Sequence, residues 1–156
     1  MSGLNTLWIM RHGLAASEFE SDFNRALSPV GEKQAEDIGQ QFLANGENLP
    51  ERMLVSPFRR TQETATIIHK KIGLEQAFET EEMLVHFADH QVLGDYLLTL
   101  EETNVMIVSH MPIVARLTQY LVPGCDIFGF QTAQLVRIDF DSTGESRVAR
   151  VYLPKD

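Results

Sequence analysis

One cysteine, Cys125, stands alone in 156 residues, which excludes an intrachain disulfide and any zinc site built on thiolates. Asp126 follows it directly, and an acid beside a thiol disfavours the thiolate nucleophile, so Cys125 reads as a loop or half-buried residue. Cations are scarce as well. Thirteen Lys and Arg face 22 Asp and Glu, a formal net charge of −9, and a chain without a basic stripe cannot displace counterions from nucleic acid. No run of apolar residues is long enough to span a bilayer, and no basic cluster introduces an apolar segment near Met1. Neither membrane insertion nor a signal peptide is therefore expected, and a cytoplasmic location is. Repeats and low-complexity stretches are missing. So are His-x-His and His-Glu-x-x-His spacings, and no metal or cofactor is expected.

What the chain has instead is a series of short apolar runs separated by segments with helical spacing. Leu7 to Met10, Met53 to Val55 and Val105 to Val108 are apolar throughout, with a weaker run near Ala77 and Phe78. Such runs suit strands covered on both faces, as in a parallel sheet. Between them, Ala35, Ile38 and Phe42 share a helix face that ends near Gly46, and Phe58, Ala65, Ile68 and Ile72 share a second, closed by Lys70, Lys71 and Gly73. Leu93, Leu97 and Leu100 mark a third, and Ile113, Leu117 and Tyr120 or Leu121 a fourth. Beyond residue 134 the pattern alternates on both sides of Asp141-Ser142-Thr143-Gly144, which predicts an antiparallel hairpin at the sheet edge. The predicted fold is α/β: a three-layer α/β/α arrangement with a mainly parallel central sheet and an antiparallel C-terminal edge hairpin. Residues 1–156 are read as a single domain, being too few for two ordinary ones and leaving no room for a lid.

Three of the apolar runs give way to polar residues of related kind. Arg11-His12-Gly13 follows the first, Ser56-Pro57-Phe58-Arg59-Arg60-Thr61 the second, and Ser109-His110-Met111-Pro112 the third. Ligands of open α/β sheets bind in the crevice at the carboxyl ends of the strands, so these turns would gather Arg11, His12, Arg60 and His110 on one rim. Arginine's planar fork matches phosphate oxygens and keeps its charge, and a neutral, aimed imidazole attacks phosphorus. Gly13 lets the backbone turn tightly around a ligand, a substrate-binding role. Alone, an Arg-His pair is most often a solvated turn and His110 a capping residue; the four together argue for a phosphoryl site. Ser28 and Ser56, each before a proline, read as N-caps with prolines suited to the first helical turn. His69, His86 and His90 lack supporting neighbours and read as satisfied or exposed.

Arg11-His12-Gly13, Leu27-Ser28-Pro29-Val30-Gly31-Glu32-Lys33-Gln34-Ala35, Ser56 with Arg60 four residues on, and Ser109-His110 run in order from about residue 6 to residue 120. They closely resemble the histidine phosphatase superfamily, the phosphoglycerate mutase-like fold. The short length, Val55-Ser56-Pro57-Phe58 and Val108-Ser109-His110-Met111-Pro112 look most like its compact phosphohistidine phosphatases of the SixA type. The resemblance implies that His12 is a nucleophile forming a transient phosphohistidine, that Arg11 and Arg60 hold the equatorial oxygens, and that His110 donates a hydrogen bond to the same group. Its spacing selects Arg60 over Arg59. Arg25 falls where these phosphatases often carry a substrate-contacting arginine, with a solvated loop arginine as the alternative.

The chain departs from the pattern at Leu14, where an acid is common, and at Glu63, where glutamine is usual. No counterpart of the superfamily's general acid is legible. Glu81, Glu82, His86 and Asp89 are nearby candidates, and Asp89 is chosen, with an N-cap role as its alternative. A missing acid suits a P–N substrate, because imidazole leaves more readily than alkoxide. The implied activity is hydrolysis of phosphohistidine on a signalling or phosphotransfer protein by a monomer without a cofactor. A small-molecule phosphomonoesterase using the same pocket and a non-enzymatic phosphohistidine-binding module are the alternatives.

Overall fold

Six strands form one sheet in the order β3-β2-β4-β1-β5-β6, in a computed structural model that describes residues 3–155. β1 (Thr6–Arg11), β2 (Arg52–Val55), β3 (Glu79–Thr80) and β4 (Asn104–Ser109) are parallel; β5 (Leu135–Phe140) and β6 (Ser146–Tyr152) form an antiparallel hairpin whose first strand pairs with β1. Helices α1 (Pro29–Ala44) and α2 (Arg59–Ile72) cover one face, and α3 (His90–Leu97) and α4 (Ile113–Leu121) the other. This is the expected α/β/α arrangement with its C-terminal edge hairpin.

Alternate residues of each apolar run enter opposite layers. Trp8, Met10, Met53, Val55, Met106 and Val108 pack with Ile38, Phe42, Ala65 and Ile68 beneath α1 and α2. Leu7, Ile9, Leu54, Val105 and Ile107 pack with Leu93, Leu97, Ile113 and Leu117 beneath α3 and α4. Burial on both faces is why these strands read as unbroken apolar runs. Leu121 rather than Tyr120 completes the inner face of α4, while the Tyr120 hydroxyl donates to Asp95 at the surface, 2.7 Å away. Ser28 caps α1 by accepting from the Gly31 N–H at 3.0 Å, and Gly73 closes α2 in the left-handed region at φ 79°.

Three expectations need correction. The weak run at Ala77 and Phe78 is not a strand; β3 is the exposed pair Glu79–Thr80, joined to β2 at Leu54 and Val55, so backbone pairing and not apolar burial defines it. Phe58 and Leu100 lie outside α2 and α3. Ser56 caps no helix. Where Pro29 begins α1 immediately after Ser28, two residues separate Ser56 from α2, and Phe58 occupies the cap position without a side-chain bond. Among the described residues no helix is long and apolar enough to cross a membrane.

Candidate active site

β1 and β4 end on the pair Arg11 and Ser109, and β2 and β4 on Val55 and Val108, so the chain leaves three adjacent parallel strands at one level. His12, Ser56 and His110 are the residues that follow. The His12 N–H donates to the Ser109 carbonyl and the Ser56 N–H to that of Val108, each at 3.1 Å. The rings of His12 and His110 meet edge to face, 5.4 Å between centroids. From the first turn of α2, Arg60 Nε donates to His12 Nε2 at 3.3 Å. Burial of His12, Arg60 and His110 with Arg11 beside them brings the four rim residues read from the sequence into one cluster.

The tautomer of His12 follows from its neighbours. Its Nδ1 lies 2.6 Å from the Gly13 carbonyl, which can only accept, and Arg60 Nε can only donate. Nδ1 therefore carries the proton and Nε2 the lone pair. Burial, opposed by the Gly13 carbonyl and reinforced by Arg60, Arg11 and Arg25, lowers the His12 pKa to about 4, so the ring is neutral through the physiological range. In the unfolded chain the same ring titrates near its ordinary value. Stability from its neutral form is therefore complete above about pH 6.5 and is lost as pH falls toward 4. With the folded value at about 4, wild type should lose on the order of 2–3 kcal/mol more than His12→Asn between pH 7 and pH 4.5, read from urea midpoints. Parallel losses in the two proteins would show that His12 is not held neutral.

His110 has a different second neighbour. Its Nε2 is 2.7 Å from Ser56 Oγ, which also accepts from the Phe58 N–H at 3.5 Å. The arrangement satisfying all three groups has the hydroxyl donating to Nε2, leaving Nδ1 as an N–H donor. Burial, then His12 and Arg60, hold the His110 pKa down at about 2. Of five buried side-chain N and O atoms without a hydrogen-bond partner among the described residues, three belong here: Arg11 Nε, His86 Nδ1 and His110 Nδ1. Arg11 is fixed by donating from Nη1 to the Phe130 carbonyl at 2.7 Å, and burial followed by Arg60 lowers its pKa. Two adjacent guanidiniums and buried unsatisfied donors, in a chain of net charge −9, suit a tetrahedral oxyanion.

The remaining candidates separate clearly. Arg25 lies at the rim, where it lowers the His12 pKa, donates to the Ala16 carbonyl at 2.6 Å and stacks over Phe19 at 4.6 Å. Gly13 has both backbone groups engaged, its N–H donating to Thr64 Oγ1. A Cβ there would meet the Gly31 carbonyl oxygen at 2.6 Å, so close backbone packing requires glycine. Asp89 is the N-cap of α3, its Oδ1 accepting from Gln91 and Val92 at 2.8 and 3.2 Å. Arg59 is at the surface and pairs with Glu63 at 3.2 Å, while Glu63 also accepts from the Leu27 N–H.

Three residues enter the site without having been read as part of it, Ser56, Asp22 and Phe58, and His86, one of the nearby acid candidates, joins them. Asp22 holds Arg60 through its carbonyl at 2.8 Å and its carboxylate at 3.3 Å. Phe58 lies 5.0 Å from the His110 ring, 5.1 Å from His86 and 4.9 Å from the Arg60 guanidinium. Its position just after Ser56-Pro57 was the one available signal. His69 and His90 are held outside the cluster, against Phe78 and Tyr120. A separate concavity of about 760 Å³ lies between the start of β2 and the segment after α2. Its arginine, Arg52, is already neutralised by Glu79 and Glu102 at 2.8 and 3.1 Å. No group of three or more His, Cys, Asp or Glu that could hold a metal occurs among the described residues.

Known proteins resemble this chain in sequence and fold. The family model described as histidine phosphatase superfamily (branch 1) matches residues 7–87. The chain is 32% identical over 144 residues to the phosphohistidine phosphatase SixA homolog of Haemophilus influenzae, covering 86% of this chain and 88% of that protein. It is 30% identical over 141 residues to phosphohistidine phosphatase SixA of Escherichia coli K12, covering 88% and 87%. A solved structure of the protein histidine phosphatase SixA complexed with tungstate superposes with a TM-score of 0.89 at 28% identity, over 96% of this chain and 97% of that one.

Proposed function

The chain belongs to the histidine phosphatase superfamily, and from that premise we propose that it hydrolyses phosphohistidine on a signalling or phosphotransfer protein, the whole chain acting as one phosphatase domain. The observation that carries the reading is the neutral His12, its Nε2 lone pair beside Arg60 and its Nδ1–H on the Gly13 carbonyl. In the first step Nε2 bonds to phosphorus and the substrate imidazole leaves. In the second, water takes the phosphoryl group from His12. The retained Nδ1–H leaves the phosphorylated ring cationic, which makes it a good leaving group. Arg11 and Arg60 neutralise the equatorial oxygens and His110 donates from Nδ1, so catalysis is mainly positioning and electrostatics. Arg25 at the rim is the candidate contact to the rest of the substrate.

The mouth favours a macromolecular substrate. Phe19, Phe23 and Phe87 are exposed beside Arg25, Phe58 and His86 respectively, Phe87 to 79%. Exposed aromatics around a polar centre are the composition of a protein-docking rim. Phosphate release from a phosphorylated phosphotransfer domain, free phosphohistidine and an alkyl phosphate tests the proposal; the phosphoprotein should be the best substrate by kcat/KM. Preference for the alkyl phosphate would favour a phosphomonoesterase. Phe87→Ala should lower kcat/KM about tenfold for the phosphoprotein, the effect of one interface anchor, and clearly less for small phosphates. An equal loss on both would remove Phe87 from docking.

A further inference from the structure

Most carboxylates near the site are engaged elsewhere, Asp22 with Arg60. Glu81 caps the 3-10 turn Glu82–Leu84 by accepting from the Met83 N–H at 3.1 Å, Glu82 is exposed, and Asp89 caps α3. The same segment nevertheless sends one titratable side chain into the cluster. It is fastened to the strand ends by Ser109 Oγ donating to the Leu84 carbonyl at 2.5 Å and by the Glu81 N–H donating to Val55 at 2.8 Å. Two residues beyond Leu84, the His86 ring lies 4.9 Å from His110 and 5.1 Å from Phe58, and its Nδ1 is buried without a partner. His110 packs against both rings, 5.4 Å from His12 and 4.9 Å from His86. An in-line displacement puts the leaving group opposite the nucleophile, so its proton donor must be a residue other than His12, and His86, packed on His110 and near enough to Arg60 for that cation to lower its pKa, is such a residue.

Resting on the phosphatase reading above, we propose that His86 is the general acid and base of this site, donating a proton to the departing group and later taking one from the attacking water. As His12 Nε2 bonds to phosphorus, the bond from phosphorus to the substrate imidazole breaks. The electron pair goes to that nitrogen, which takes the proton of the His86 imidazolium. Neutral His86 then accepts a proton from water as the water oxygen bonds to phosphorus and the phosphorus–His12 bond breaks, which returns both histidines and releases inorganic phosphate. Transfer between two imidazoles is nearly balanced, and an acid is most effective when its pKa lies near the working pH. Burial, then Arg60, lower the His86 pKa, against Asp22, which raises it. His110 and the aromatic rings of Phe58 and Phe87 complete its surroundings. A phosphoryl dianion on Arg60 offsets the cationic influence, so protonation of His86 is coupled to substrate binding.

Leaving-group dependence tests the assignment. For His86→Gln, kcat/KM should fall about 100-fold with phenyl phosphate, whose phenolate needs a proton, and less than about threefold with nitrophenyl phosphate, whose phenolate does not. Because kcat also includes phosphoenzyme hydrolysis, it should fall with both. The Kd for inorganic phosphate should stay within about threefold, since Arg11 and Arg60 remain. Equal kcat/KM losses with the two aryl phosphates would overturn the role of His86 and leave the phosphatase reading intact. A parent protein that releases phosphate from neither ester nor phosphohistidine would overturn that reading itself. If His86→Gln loses its circular dichroism, the parent decides alone: its phenyl-to-nitrophenyl ratio of kcat/KM should decline as pH rises, and a constant ratio would overturn the proposal.

Discussion

Replacing His12 by alanine is expected to abolish phosphate release, a loss of at least ~10³-fold in kcat, because the variant has no atom with which to form the first bond. The oxyanion site should survive. Arg11 remains fixed on the Phe130 carbonyl and Arg60 on Asp22, so inorganic phosphate should still bind. The cost to the fold should be about 1–3 kcal/mol, since truncation leaves the Gly13 carbonyl without its donor in a buried position. Rapid acid quench of the parent should trap a phosphoryl group that is acid-labile and alkali-stable, and peptide mapping should place it on His12. Turnover of His12→Ala within tenfold of the parent, or a trapped phosphate on another residue, would remove His12 from the nucleophile's place.

How much of this was legible follows from which constraints are local. β1, β2 and β4 were readable because burial on both faces leaves apolar runs, and their register delivers Arg11, His12 and His110 to one level. Arg60 needed the spacing from Ser56 as well as the helix period. Residues placed by long-range contacts left a weaker trace. Ser56 satisfies the same local rule as Ser28, yet its hydroxyl is taken by His110, 54 residues away. Phe58 fits the apolar period of α2 but sits one residue before the helix, against His86 and His110. His86 itself lies in an irregular segment fastened by backbone and Ser109 contacts, which have no periodic signature. For Asp89, by contrast, the local capping reading was the one realised.

Arg60→Ala should cost at least ~100-fold in kcat/KM, the scale of one preorganised transition-state donor, while Arg59→Ala should change it by less than about threefold. The neighbours diverge because successive helical residues point about 100° apart. Arg60 is buried against His12 and Asp22, whereas Arg59 is exposed beside Glu63, and an exposed i,i+4 pair contributes only about 0.3–0.5 kcal/mol. A general loosening of the loop around Asp22 could also depress the rate of Arg60→Ala, so a second readout is needed. Arg60 is among the cations that hold His12 near 4, and removing it raises the imidazole pKa. The acid limb of kcat/KM, which reports protonation of the free enzyme, should therefore move upward toward neutral pH in Arg60→Ala and stay in place in Arg59→Ala. Arg60→Lys keeps the charge but not the fork, and should preserve most of the pH profile while recovering only part of the rate. Equal losses at 59 and 60, or an unmoved limb in Arg60→Ala, would show that Arg60 does not act on the phosphoryl group and nucleophile together.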